Sequence, residues 1–254
     1  MNLDDKIYKY CSYDNGLLIV LGQLLKFRNP SFFNDPFDCD INLLEFDFDD
    51  CSQDILDDLE LIRNSFQTDM SNEINSIPKN KLEEIYRKSQ IDKIEKSSIC
   101  CFSTNLDNTT MWSHYADNHK GICLIFDPFI NEPFLDVNSE NVISGTVDYD
   151  NYTQINYLKS KREGIKKLFL TKSNHWKQED EFRYIILRNY DYIQFKREFL
   201  KGVVFGSRVQ EDDLSRFISI CINNGHNNLD FGRFQKDKLV LNFYEAMPPQ
   251  INHP

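Results

Sequence analysis

Ile122-Cys-Leu-Ile-Phe126 is a run of five consecutive apolar residues placed directly after Gly121. A continuous run of this length suits a strand covered on both faces at the middle of a sheet, rather than one with a wet side. The neighbouring segments are of several kinds. Ser97 to Ser103 is apolar and β-like, and Asn108 to Asn118 reads as a short helix with Asn108 or Thr109 at its N-cap and Gly121 as its stop. Val142 to Tyr149 and the alternating Glu181 to Leu187 read as strands, as do Phe199 to Phe205 and Lys238 to Tyr244. Tyr157 to Thr171 places Leu158, Ile165, Leu168 and Phe169 on one helical face, and Asp212 to Asn223 is an amphipathic helix. At the start, Ile7 to Ser12 alternates as a strand, Asn15 to Leu25 is helical, and Leu24 to Phe27 returns to strand character before a turn around Pro30. Strands and helices do not alternate regularly. The expected class is therefore α+β, with a mixed, mostly antiparallel central sheet and flanking helices.

Between Asp35 and Glu73 there are 13 acidic residues and one basic residue, Arg63. With Lys81 to Lys96 this predicts an acidic helical insertion at about residues 45–96, broken at Pro78 and carried by a single domain over 1–254. The 20 Phe and 12 Tyr suffice for a large core. A net charge of −11 argues against a general nucleic-acid coat, because phosphate neutralisation needs clustered Lys and Arg. No apolar run has the length of a membrane span and Met1 to Lys9 is polar, so a cytoplasmic protein without a membrane role is expected. The seven Cys lack metal or redox spacing and the five His form no zinc motif, so buried thiols and no metal are expected. Walker, G-x-G-x-x-G and G-x-S-x-G signatures are absent, which removes the common NTPase, dehydrogenase and serine-hydrolase readings.

Several blocks carry a resemblance. Ile7-Tyr-Lys-Tyr-Cys-Ser12, Phe32-Phe-Asn-Asp-Pro-Phe-Asp38, Cys101-Phe-Ser103, Met111-Trp-Ser-His-Tyr-Ala-Asp117, Lys120-Gly-Ile-Cys123, Trp176-Lys-Gln-Glu-Asp-Glu-Phe-Arg183 and Val203-Val-Phe-Gly206 together resemble the bacterial domain of unknown function numbered 2971. The order of these motifs is similar to that of abortive phage-infection proteins and, more distantly, of NAD-using ADP-ribosyltransferases. Those transferases have a basic or His residue on an early strand, an aromatic or hydroxyl residue on a middle strand and a Glu on a late strand. This chain departs from them in offering Lys9 where His or Arg is usual. The resemblance implies NAD as substrate, with a protein or nucleic acid as possible acceptor.

The residues themselves support a candidate site. Glu179 and Glu181 stand two apart at the mouth of a strand, so extended backbone would project both from one face, with Arg183 next along it. If NAD is the substrate, Glu181 would face the positive charge that builds on the ribose and Glu179 would orient the substrate. The plain alternative is a surface pairing of Glu181 with Arg183, worth little. Trp112 and Tyr115, an i,i+3 pair, would stack on a flat ring such as nicotinamide, and His114 would serve as acid, base or phosphate donor, or be only a core histidine. Asn34 and Asp35 sit in a rigid turn that either pre-organises a site or is architecture alone. Lys9 would either meet a phosphate or carboxylate of the ligand or be a solvated edge lysine, and Tyr10, Ser12, Ser103 and Trp176 complete the binding set. Lys172 and the basic residues from Lys159 to Lys167 would touch an RNA, a dinucleotide or, as the plain reading has it, the chain's own acidic segment. Two other classes stay open: a non-catalytic module that binds a basic partner through residues 35–73, and a metal-dependent nuclease using Asp35, Glu179 and Glu181.

Overall fold

The structure, a computed structural model, describes residue 3 and residues 5–69 and 78–234, and the strand expected at Lys238 to Tyr244 lies outside them. In chain order the elements are β1 (Ile7–Cys11), α1 (Tyr13–Gly22), β2 (Leu24–Lys26), β3 (Leu44–Glu45), α2 (Gln53–Asp69), α3 (Lys79–Glu95), β4 (Ser98–Ser103), α4 (Thr109–His114), β5 (Ile122–Phe126), β6 (Val142–Thr146), β7 (Asp148–Tyr149), β8 (Ile155–Asn156), α5 (Lys161–Phe169), β9 (Thr171–Lys172), β10 (Glu181–Ile186), β11 (Tyr192–Gln194), β12 (Leu200–Phe205), α6 (Glu211–Asn223) and β13 (Asp230–Arg233). Seven strands form one sheet in the order β13-β12-β5-β1-β4-β10-β6. Within it only β12 and β13 run parallel; the other neighbours are antiparallel. The fold is thus α+β with a mostly antiparallel mixed sheet.

β5 is covered on both faces, as its five apolar residues require. Ile122, Leu124 and Phe126 join a core with Phe199, Phe205 and Phe217, while Cys123 and Ile125 pack on the other side with Trp112 and Val204. Fully burying a side chain of this kind contributes roughly 1.5–3 kcal/mol before entropy is counted. A third cluster joins the insertion to the sheet, with Ile55 and Leu59 of α2 and Leu82, Tyr86 and Ile94 of α3 packed together with Ile99 of β4 and Ile185 of β10.

The acidic stretch becomes α-helical only at Gln53, after a single 3-10 turn at Ile41–Leu43. Before that, Asp35, Asp40 and Asp47 each accept the N–H two residues on, so the chain turns repeatedly instead of coiling. Lys159 lies 3.4 Å from Asp50, and Lys161 lies 2.6 Å from Asp58 and 3.8 Å from Asp54, so these lysines meet the acidic segment as expected. Lys172 meets it at a different point, with its Nζ 3.7 Å from Asp38 Oδ2.

Two helices are shorter than their periodicity predicts. α4 ends at His114 because Asp117, Asn118 and His119 all take positive φ. Gly121 is needed for a different reason: a Cβ there would lie 2.2 Å from the Cys11 carbonyl oxygen. α5 starts at Lys161 because the Ser160 side chain accepts the N–H of Glu163 and caps the helix. None of the described helices is long and apolar enough to cross a membrane.

One irregularity of the sheet positions the site. β1 pairs with β5 at five positions but with β4 at one only, Tyr8 with Ser103. At the other end of β4, Ile99 exchanges two backbone hydrogen bonds, 2.8 and 2.9 Å, with Arg28, just past β2. The flank of β4 is therefore closed at each end by a different strand and open between.

Candidate functional site

A cavity of about 810 Å³ occupies this opening and takes lining from both β1 and β4. Lys9, at the middle of the central strand, fills part of the split. Its Nζ donates to the Cys101 carbonyl oxygen at 2.7 Å and lies 5.3 Å from the Phe102 ring centre. The side chain thus satisfies a backbone acceptor on the open flank of β4.

The opposite wall holds the carboxylates. Glu179 ends a 3-10 turn spanning Asn174–Glu179, and Asp180 follows with φ 46° and ψ 53°, a left-handed conformation that Asp tolerates better than most residues. Asp180 is held there because its carbonyl accepts the Thr104 N–H at 2.6 Å and its side chain accepts from Asn105 at 3.1 Å. The Ser103 hydroxyl donates to the Glu179 carbonyl at 2.8 Å. Glu179 and Glu181 do converge, but through this left-handed corner and not through the extended alternation that the spacing suggests.

Lys172 joins them. Its Nζ lies 2.7 Å from Glu179 Oε2, 3.2 Å from Glu181 Oε2 and 3.7 Å from Asp38 Oδ2. Arg183 backs the cluster: it donates to both oxygens of Glu181 at 2.9 Å and to both oxygens of Asp38 at 2.9 and 2.6 Å. The Glu181–Arg183 pair is therefore no surface contact, for Glu181 is 5% exposed and Arg183 0%. Burial by itself would raise the Glu181 carboxyl; Arg183 and Lys172 outweigh it and hold the group down to about 2. Burial would lower Lys172, yet Glu181 and Glu179 raise it above its ordinary value, so it stays charged. Tyr115 donates its hydroxyl to Glu179 Oε1 at 2.7 Å, and burial together with that bond pushes the phenol above its ordinary value.

Three buried carboxylates, Asp38, Glu179 and Glu181, thus face two buried cations, Lys172 and Arg183. One formal negative charge is left at the cavity wall. Trp176 extends that wall. Its ring centre is 5.0 Å from Lys172 Nζ, and its indole N–H donates to Asp35 Oδ2 at 3.0 Å, which fixes the Asn34-Asp35 turn against the site.

Residues 111–184 match the family described as "Protein of unknown function (DUF2971)". No curated protein and no solved structure matches the chain. The DUF2971 match includes Tyr115, Lys172, Trp176, Glu179, Glu181 and Arg183, which is the carboxylate side of the cavity. β1, the Asp35–Asp38 turn and β2 lie before it.

Of the residues singled out by sequence, Lys9, Tyr10, Asn34, Asp35, Ser103, Tyr115, Trp176, Glu179 and Glu181 line one cavity, although Lys9 and Glu181 are far apart in the chain. Four do not line it. Trp112 is 0% exposed, with its indole N–H donated to Leu106 O at 3.1 Å and its ring edge-on to Tyr10, so it is core and offers no stacking face. His114, the last residue of α4, is exposed and lies outside the cavity lining. Ser12 is the N-cap of α1 and accepts the Asn15 N–H. Arg183 acts from behind Glu181 and Asp38. Tyr10 contributes to the lining, but its hydroxyl is taken up by the carbonyls of Asn105 and Leu106 at 2.7 and 2.8 Å.

Lys172 and Asp38 were missed as site residues because each stood in a charge run, one basic and one acidic, that reads as surface. The signal for Asp38 was its place at the end of the Phe32 to Asp38 block. Lys172 follows Leu168-Phe-Leu170, an apolar approach unlike that of an exposed lysine. Among the described residues, no group of three or more His, Cys, Asp or Glu is arranged to hold a metal ion.

Proposed function

We propose that the protein is an NAD-using enzyme of the ADP-ribosyltransferase or NAD-glycohydrolase type. The resemblance to abortive-infection proteins suggests a cytoplasmic defence or toxin effector. The observation that carries this reading is the buried Glu179–Glu181 pair, part of a cluster of three carboxylates facing two cations, on the wall of a cavity about 810 Å³ in volume. That volume is within the usual range for small-molecule sites.

The reaction is cleavage of the bond between the ribose anomeric carbon and the pyridinium nitrogen of NAD. The bonding electrons pass to the nitrogen, so nicotinamide leaves neutral and the ribose gains oxocarbenium character. A fixed negative charge in a site shielded from water stabilises that state more than the ground state. Glu181, locked by Arg183 and ionised well below neutrality, supplies the charge. Glu179 has one protein contact on each oxygen and keeps lone pairs for a ribose hydroxyl. Water or an acceptor nucleophile then bonds to the anomeric carbon and loses its proton to solvent or to the carboxylate pair. Tyr115, a proton donor beside Glu179, and the Trp176 ring take the places at the nicotinamide end that Trp112 and His114 do not fill.

The test is incubation of the full chain with NAD labelled in the nicotinamide ring, with and without protein and nucleic-acid acceptors. Release of labelled nicotinamide is expected, lowered at least about 100-fold in Glu181→Gln. No release from the folded wild type, or equal release by the variant, overturns the reading.

A further inference from the structure

We propose that Lys26 and Arg28, with the Tyr192 ring beside them, form an anion subsite in this cavity, so that the ligand is a phosphate-bearing nucleotide laid along β4. This deepens the functional proposal above and relies on it for the placement of the ribose at the carboxylate end.

β2 and its extension alternate. Leu25 and Phe27 are 0% and 1% exposed in the core, while Leu24, Lys26 and Arg28 turn the other way and line the cavity. Tyr192 on β11 is the register partner of Lys26, and the Lys26 Nζ lies 5.8 Å from its ring centre. This brings a cation and an exposed aromatic face together at the same rim. Leu18 and Leu21 of α1, both exposed, line the same part of the wall. The chain carries 40 acidic residues against 29 basic ones, and Lys79, Lys81, Lys96, Lys159, Lys161, Lys166, Lys196 and Lys201 all have carboxylate neighbours. Among the described residues, the side chains of Lys26 and Arg28 have none; Lys93, Lys120, Arg162 and Lys167 also have none, but those do not line the cavity. Two cations without carboxylate partners, turned into a cavity of a strongly acidic protein, call for an anion.

β4 provides a ruler. Glu181 is in register with Ser103, Lys9 is bonded to the Cys101 carbonyl and Arg28 is bridged to Ile99. These are three points two residues apart, so each step is about 6–7 Å and the whole is about 13 Å at strand rise. Along this line the cavity runs from excess negative charge, through Lys9, to the Lys26–Arg28 pair. A molecule with a cationic ring on a ribose and a phosphate group beyond the sugar has the same polarity, whereas a neutral glycoside lacks the anionic end. The Tyr192 face and the Leu18–Leu21 wall would then receive a flat base beyond the phosphates.

Both side chains are exposed, so truncating them leaves the core intact, and the Arg28 bridge to Ile99 is made by backbone atoms. The experiment titrates the full chain with ADP-ribose, ADP, adenosine and nicotinamide riboside, for the wild type, Lys26→Ala, Arg28→Ala and Arg28→Lys, with melting curves as a folding control. ADP-ribose and ADP are expected to bind more tightly than the uncharged ligands and to weaken with added salt. Each alanine change should cost about tenfold for the phosphate-bearing ligands, with partial recovery in Arg28→Lys. Wild-type-like ADP-ribose binding by both alanine variants, or no ADP binding by the wild type, overturns the proposal. Turnover of NAD with a KM unchanged in both variants sinks the subsite and leaves the enzymatic reading standing. ADP binding that depends on Arg28, without NAD turnover, does the reverse.

Discussion

Replacing Arg183 with methionine gives the most direct test of the buried charge cluster. The guanidinium makes five hydrogen bonds of 2.6 to 2.9 Å to Asp38, Glu181 and the Phe169 carbonyl, in a site with no exposure. Methionine keeps much of the volume and removes the charge, so two carboxylates lose their doubly bonded partner and keep only Lys172 while remaining buried. Breaking a buried pair from one side costs about 3–5 kcal/mol. With an unfolding entropy of roughly 2.1 cal/mol/K per residue, the melting temperature of a chain this long should fall by about 6–10 °C. The pH dependence has a definite sign. Glu181 is depressed to about 2, below its unfolded value, so its stabilisation is complete above the ordinary carboxylate range and is lost as pH falls toward 2. The variant keeps only the smaller share that Lys172 supplies. The gap between the two melting curves should therefore be widest near neutrality and narrow below about pH 4. Thermal melts followed by circular dichroism at neutral pH and at about pH 3.5 measure it. A gap under about 2 °C at neutral pH, or one that widens with acid, refutes the reasoning.

Further outcomes separate core from site. Trp112→Ala should destabilise by about 3–5 kcal/mol in chemical denaturation, because it empties a fully buried indole, while ligand affinity of the folded fraction is unchanged. Gly121→Ala should yield little soluble folded protein, since its Cβ meets backbone atoms of Cys11 and Ala116 that have no easy way to retreat. Tyr115→Phe deletes one hydrogen bond to Glu179 and should cost only about 0.5–1.5 kcal/mol of stability while lowering nicotinamide release; a variant with full activity would remove Tyr115 from the site. Lys172→Met leaves Glu179 and Glu181 facing each other with one fewer cation, so its melting temperature should recover relative to wild type as the pH is lowered.

Local pattern was enough for those parts of the molecule whose cause is local. Five apolar residues in a row announced the doubly covered β5, Asn108 capped the helix it precedes, and the mixed order of elements led to α+β. Helix ends failed where the decision came from elsewhere: α4 stops because three successive residues adopt left-handed backbone, and no periodicity carries that information. The three-residue β11 and the parallel β13 were too short to show an alternation of their own and exist as strands through their partners.

For the site, residue types and spacing were sufficient to bring forward Lys9, Asn34, Asp35, Tyr115, Trp176 and the Glu179–Glu181 pair, since each offers a polar group in a compact motif. Burial they did not contain. Trp112 and Tyr115 look equivalent on a helical wheel, yet one is sealed in the core and the other reaches the cavity, because the packing of β1 and β5 covers only one of them. The opening between β1 and β4, the return of Lys172 onto the carboxylates and the joining of Asp38 to Arg183 across more than 140 residues are properties of how strands pair in space. Electrostatic energy depends on distance and dielectric, and both are set by the folded arrangement rather than by position along the chain.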